Sequence, residues 1–286
     1  MIFEHEIPDG CRLYFGNVAK KKRILENSVS DFFDTLGFLE IVTPNFSYSG
    51  HQSIDDETKL IKLNDTNNNQ LTLRADSTLD VARIITKRLG RTTDHKKWFY
   101  IQPIFLYPSI ENYQIGCEWL EHEEISDVIN LATQIFGLLK INPLLQIANI
   151  NIPKIIATEF DIPLDYFKNG EINKLFDLKI EWLNRLIYAQ TQEDLEKLYH
   201  TLPICLQEEV MKLIQIIGKL EYKNATISPL YYDSMKYYDD IYFRAIEGNE
   251  TIAKGGSYKS DGVESLGFAL CTDNLLKILG DNNARD

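Results

Sequence analysis

The sequence predicts an α+β fold in which an antiparallel sheet is flanked by helices and interrupted by a helical insertion. Three observations carry that prediction. Residues 98–105 (WFYIQPIF) and 113–120 (YQIGCEWL) read as two strands joined by a short link, within a stretch from Trp98 to Leu139 that has no lysine or arginine. Between about Pro143 and Thr226 strand signals thin out and helical periodicity dominates. From Tyr231 the strand-like pattern returns and runs into a closing helix. The expected organisation is therefore residues 1–142 as the first part of a core, 143–226 as a helical insertion, and 227–286 as the completion of the core.

From the N-terminus, residues 23–36 place Leu25, Val29, Phe32, Phe33 and Leu36 at helical spacing, and Gly37 stops that helix. A strand over 38–43 ends at Pro44, which has no N–H to give a ladder. Residues 60–63 and 71–74 predict a hairpin around the polar link 64–69. A helix over 79–89 turns Val81, Ile84 and Ile85 inward; another from Ile125 aligns Val128, Leu131, Ala132, Ile135 and Leu139. Helices over 173–188, 192–201 and 206–220 are punctuated by Pro153, Pro163 and Pro203. The last segment predicts strands over 237–245 and 250–253, a turn at Gly255-Gly256, a strand over 267–270 and a helix over 273–279.

Composition narrows the function. The chain has 286 residues, enough for ample core, with 44% hydrophobic and 25% charged residues. Its net charge of -12 argues against nucleic acid, whose phosphates must be neutralised by Lys and Arg. The basic run Lys20, Lys21, Lys22 and Arg23 reads as the solvated face of a helix. Neither a signal peptide nor an apolar run of about 20 residues is present, so no membrane contact is expected. Scattered cysteines (Cys11, Cys117, Cys205, Cys271) form no C-x-x-C pair and point to reduced thiols in the cytoplasm. His122 among Glu121, Glu123 and Glu124 reads as a solvated acidic turn, and no metal is expected. The sequence has neither GxGxxG nor GxxxxGK[ST], and no cofactor is implied.

Several segments, in order, resemble the catalytic core of histidyl-tRNA synthetase and its class II relatives. Residues 23–44 are similar to the first class II motif, a helix then a strand ending in proline. Leu73-Arg74-Ala75-Asp76-Ser77-Thr78 resembles LRPEGT, and Gln114-Ile115-Gly116-Cys117-Glu118 resembles QLGCE. Met235-Lys236-Tyr237-Tyr238 resembles LDYY, and residues 253–258 resemble AGGRYD. The resemblance implies a class II aminoacyl-tRNA synthetase-like sheet. It also implies a histidine pocket: Asp76 and Thr78 toward the amino group, Gln114 and Glu118 facing the amino acid, Tyr237 and Tyr238 walling the imidazole.

The departures share one direction. The second-motif arginine of that family is Leu106 here, the arginine before LDYY is Asp233, the arginine of AGGRYD is Ser257, and the third-motif arginine is Asn274. Adenylation needs preorganised positive charge at the phosphate, and each such donor is worth about 3 kcal/mol. No anticodon-binding domain is expected after the third motif. The chain therefore most resembles the regulatory subunits of ATP phosphoribosyltransferase. That family implies no catalysis and no tRNA, a short-form ATP phosphoribosyltransferase catalytic subunit as partner, and a part in histidine feedback inhibition. Self-association through Arg23 to Pro44 and histidine as ligand are further expectations. Three alternatives stay open: a histidine-activating enzyme with relocated cations such as Arg74, Arg83 or Arg244, a tRNA-binding module, and a scaffold with a closed pocket.

Overall fold

Apolar spacing sets the first helix, α1 (Gly16–Thr35), which starts well before the expected position. Val18 and Leu25 are buried two turns apart on one side, while the lysine run continues the helix on its other face. The structure, a computed structural model, describes residues 6–51, 56–233 and 237–280. His5, and Met235 and Lys236 of the LDYY-like segment, lie outside the described residues.

After α1 the expected strand shrinks to β1 (Leu39–Glu40), which pairs in parallel with β5 (Lys97–Leu106). Between them, β2 (Phe46–Tyr48), β3 (Lys62–Asn64) and β4 (Gln70–Leu73) form a small separate sheet in the order β2-β4-β3. Its β3–β4 pair is the hairpin expected around residues 64–69. α2 (Thr78–Ile84) runs on into a wider-wound turn over Ile85–Leu89. β5 then pairs with β6 (Ile110–Leu120) as far as Leu106 opposite Ile110, leaving only Tyr107, Pro108 and Ser109 as the link. α3 (Ile125–Leu138) follows as expected.

The stretch expected to be helical opens with a strand, β7 (Leu144–Asn149). Six residues behind a proline are too few to display a period, yet Leu145 and Ile147 are fully buried in the sheet. The helical block proper comprises α4 (Asn151–Glu159), α5 (Leu164–Lys168), α6 (Ile172–Asp177), α7 (Glu181–Tyr188), α8 (Gln192–Tyr199) and α9 (Ile204–Lys219). The helix expected over 173–188 is two helices, because Lys179 takes a φ of 56° between them. Then come β8 (Ala225–Ile227), β9 (Tyr238–Glu247), β10 (Glu250–Ser260), β11 (Val263–Cys271) and α10 (Thr272–Ile278). The large sheet runs β1-β5-β6-β11-β10-β9-β7-β8, with only its two end pairs parallel.

Gly255 and Gly256 are not a turn. They sit inside β10, and the turn is Asp261-Gly262 instead. A Cβ on Gly255 would lie 2.5 Å from Phe268 Cβ and 2.6 Å from the Phe243 ring. Close packing, not bending, is what requires glycine there.

Register gives the large sheet two unlike faces. Ile115, Cys117, Phe268, Leu270, Phe243 and Ile147 share one face and form a continuous core with α1, α3 and the helical block. Phe33 of α1 stacks on Phe99 at 5.1 Å, and burying a side chain of that size contributes about 1.5–3 kcal/mol. The other face carries Tyr100, Glu118, Tyr258, Tyr238 and Tyr242, partly roofed by α2. That second face holds the candidate site.

Candidate functional site

Three glycines create the room on this face. A Cβ on Gly116 would overlap the Tyr100 ring, one on Gly267 would overlap the Glu118 carboxyl, and one on Gly256 would overlap Tyr238 and the Ile241 carbonyl. Each of these large side chains therefore lies flat across a neighbouring strand. The result is a box built from β5, β6, β11, β10 and β9 and closed by the start of α2.

Asp76 and Thr78 enter the box from the β4–α2 junction. Asp76 accepts hydrogen bonds from the Leu79 amide at 3.3 Å and the Tyr237 hydroxyl at 3.2 Å. Thr78 Oγ1 lies 3.5 Å from the Tyr100 hydroxyl. Glu118, wholly buried, accepts from the Tyr258 hydroxyl at 2.7 Å, while its other oxygen has no partner among the described residues. Tyr237 and Tyr238 pack at 4.5 Å, and Tyr237 meets Tyr258 edge-on at 5.9 Å.

Electrostatics follow from burial. Glu118 is pushed up to about 8, mainly because burial penalises its charge, with the charge of Asp76 adding and the Tyr258 hydrogen bond opposing. Asp76 rises to about 6, again chiefly through burial. Near neutral pH the box therefore holds one protonated and one ionised carboxyl. Neither is ion-paired to a described residue. Such a site favours a ligand that brings positive charge and hydrogen-bond donors.

Of the six candidate residues, the structure brings together Asp76, Thr78, Glu118, Tyr237 and Tyr238. Gln114 shares their face but lies opposite Gln102 and Cys271, about 13 Å along β6 from Glu118 at the usual rise per residue. Sequence reasoning passed over Tyr100, Tyr258 and the three glycines as parts of the site. A glycine inside a strand pattern marks close approach, and Gly116, Gly256 and Gly267 all carry that signal.

The positions of the missing arginines are settled. Leu106 is half-buried at the end of β5, and Asn274 donates to the Thr251 carbonyl at 2.9 Å. Ser257 is half-buried in β10, and Asp233 is buried with the Lys254 ammonium 3.7 Å away. The three cations considered as replacements are engaged elsewhere. Arg74, 1% exposed, spends its guanidinium on Thr43, Pro44, Asn45 and Pro103, joining the end of the first-motif strand to β5. Arg83 pairs with Asp80 at 2.9 Å. Arg244 donates to Gln146 at 2.5 Å and lies over the Tyr231 ring at 4.1 Å.

Comparison with known proteins identifies the family and the fold. A family model described as histidyl-tRNA synthetase matches residues 14–275. A relative from Wolinella succinogenes named ATP phosphoribosyltransferase regulatory subunit is 42% identical, over 99% of this chain and 99% of its own. A protein of the same name from Helicobacter hepaticus is 39% identical, over 98% of this chain and 99% of its own. A crystal structure from Bacillus halodurans, described as an ATP phosphoribosyltransferase regulatory subunit/histidyl-tRNA synthetase, superposes with a TM-score of 0.83. It covers 98% of this chain and 84% of that one at 18% identity, a likeness of fold.

The buried acid gives a pH test. Unfolded, Glu118 ionises from about 4.5; folded, it holds its proton to about 8. Between those values the folded state binds more protons, so stability falls as pH rises, by up to about 1.4 kcal/mol per pH unit, and levels off above the window. Glu118→Gln removes that slope. Denaturant melts across the pH range should show the variant gaining on the wild type between these limits; parallel curves would contradict the burial of an uncompensated carboxyl.

Proposed function

We propose a function from one premise: the chain belongs to the ATP phosphoribosyltransferase regulatory subunits, within the histidyl-tRNA synthetase family. It is thus a regulatory partner of the ATP phosphoribosyltransferase catalytic subunit, which performs the first step of histidine biosynthesis. The proposal concerns how it works. The chain performs no chemistry and binds no tRNA. It holds histidine in the acid–tyrosine box and passes that occupancy, as feedback inhibition, to a short-form catalytic subunit within a cytoplasmic hetero-oligomer. Asp76 and Thr78 take the ammonium, while Glu118 and the tyrosines take the imidazole. Gln114, farther along the same face, is proposed to meet the ligand from its open side.

One observation carries the proposal. The box keeps two carboxyls and their tyrosine partners, while the positions that the resemblance matches to synthetase arginines hold Leu106, Asp233, Ser257 and Asn274. An amino acid finds complementary groups there, and a triphosphate does not. The apolar core that is continuous from the sheet through the helical block supports transmission, since packed elements shift together rather than separately. Differential binding of a few kcal/mol between two assembly states is enough to bias them. On this proposal the insertion (143–226) and the two core segments (1–142 and 227–286) act as one body.

Self-association through the unit from Arg23 to Pro44 is supported by exposed apolar side chains at and beyond its end. Val42 is 76% exposed, and Phe46 and Tyr48 are also exposed beside it. In sedimentation the wild type is expected as a dimer and Val42→Asp as a monomer; a monomeric wild type would remove this part of the proposal.

The regulatory role is tested by mixing the purified chain with the short catalytic subunit and measuring phosphoribosyl transfer. The expected result is a stable complex, a faster reaction, and inhibition by L-histidine that Glu118→Gln weakens at least tenfold. A complex in which Glu118→Gln leaves histidine inhibition unchanged would move the sensor away from the box.

A further inference from the structure

On the proposed reading Asp76 and Thr78 take the ammonium of an amino acid and Glu118 its ring, which leaves the carboxylate without a partner. The β5–β6 register sets Tyr100 opposite Gly116 and Gln102 opposite Gln114, all on the polar face. The Tyr100 hydroxyl is the group that meets Thr78. Gln102 lies two residues farther along β5, about 7 Å, on the side away from Glu118.

Gln102 is 4% exposed, and its amide can point only one way. Its Oε1 accepts from the Thr43 amide at 3.2 Å and from the Thr43 hydroxyl at 3.1 Å. A backbone N–H can only donate, so the oxygen must face Thr43 and the NH2 must face elsewhere. That NH2 is buried and has no acceptor among the described residues. An orphaned buried donor is destabilising, and folded proteins rarely leave one. Across the strand pair Gln114 is half-buried, and its side chain makes no hydrogen bond to a described residue. Two amide side chains with unpaired donors thus stand in register beyond the ammonium end of the box.

A buried charge lies behind Gln102. Arg74, 1% exposed, donates only to neutral oxygens, those of Thr43, Pro44, Asn45 and Pro103, at 2.6–3.0 Å. Asp80 offsets its charge through space but is itself salt-bridged to Arg83. One Arg74 nitrogen donates to the Thr43 hydroxyl at 3.0 Å, and that hydroxyl donates on to Gln102. Such a chain polarises each bond in the same sense and makes the far amide N–H a better donor. The face is therefore polarised along its length, with buried acid toward Glu118 and a guanidinium acting through Gln102 at the other end. Given histidine in the box, the reading on which this rests, we infer that Gln102 and Gln114 bind its carboxylate, with Arg74 as the positioning charge behind them. Neutral amides can hold a carboxylate without offering a phosphate the cation that adenylation needs. A ligand lacking the carboxylate leaves the Gln102 NH2 orphaned and binds more weakly.

Calorimetry on the full-length chain tests this with L-histidine and histamine, which share the imidazole and the ammonium but not the carboxylate. Wild type is expected to bind L-histidine at least tenfold more tightly than histamine. Gln102→Glu keeps an oxygen for Thr43 and turns the donor into an acceptor. It should weaken L-histidine at least tenfold and leave histamine unchanged or tighter. Gln102→Met removes the donor without adding charge and should abolish the preference in the same way, so it carries the test should Gln102→Glu fold poorly. A Gln102 that serves only the wall gives parallel losses for both ligands, or none. Either result, or a wild type that binds the two equally, overturns the carboxylate site and leaves the box reading standing. Failure of the wild type to bind either ligand overturns both.

Discussion

A carboxyl buried flat against a glycine is the constraint on which the polar face depends. Glu118 lies over Gly267 with one oxygen on the Tyr258 hydroxyl, beside a second buried acid, Asp76. No described cation pairs with either. An ionised carboxylate in such a place costs several kcal/mol, so Glu118 keeps its proton instead. The surrounding design answers to that. Gly267 must be glycine, Tyr258 must present a hydroxyl, and Tyr237 must meet Asp76 from the far side. A fold selected only for stability would fill the space with apolar side chains. This one retains two buried acids, Asp76 and Glu118, with no described cation beside them.

The rest of the sheet makes that arrangement rigid. Because its opposite face is packed against α1, α3 and the helical block, the strands cannot spread to relieve the crowding around Glu118. Arg74, the arginine of the LRPEGT-like run, is tied into the fold rather than open to a ligand. Wholly buried, it holds Thr43, Pro44, Asn45 and Pro103 together and has nothing left for a phosphate. Fold and chemistry separate cleanly here. The synthetase-like scaffold is intact, and its charge pattern is altered at a few positions. At Asp233 the change is one of sign, and the carboxylate sits beside Lys254 in a cavity of its own.

Much of this was legible in the residues. The runs WFYIQPIF and YQIGCEWL read as the two strands β5 and β6, and the motif-like runs around Asp76 and Glu118 located the acids of the box. The spacing of Leu25, Val29 and Phe33 gave α1, although the lysine run hid its first turns. Other features were not legible because they depend on contacts between distant strands. Gly255 and Gly256 looked like a turn because paired glycines usually punctuate; only Phe268 and Phe243 at Gly255, and Tyr238 and Ile241 at Gly256, reveal them as close-packing positions. β7 is too short to show a period and is fixed by β8 and β9 on either side. Tyr100 and Tyr258 face Thr78 and Glu118 only once four strands are in register, which no local pattern states.

The central claim is that the box can receive an amino acid and cannot activate it. ATP–pyrophosphate exchange with L-histidine measures activation directly, without the catalytic partner or tRNA. With Leu106, Asp233, Ser257 and Asn274 at the synthetase arginine positions and Arg74, Arg83 and Arg244 engaged elsewhere, exchange should stay at background at saturating ATP and histidine. Histidine-dependent exchange at a rate typical of synthetases would contradict the account, since it would require phosphate-binding charge that this arrangement of Leu106, Asp233 and Asn274 does not supply.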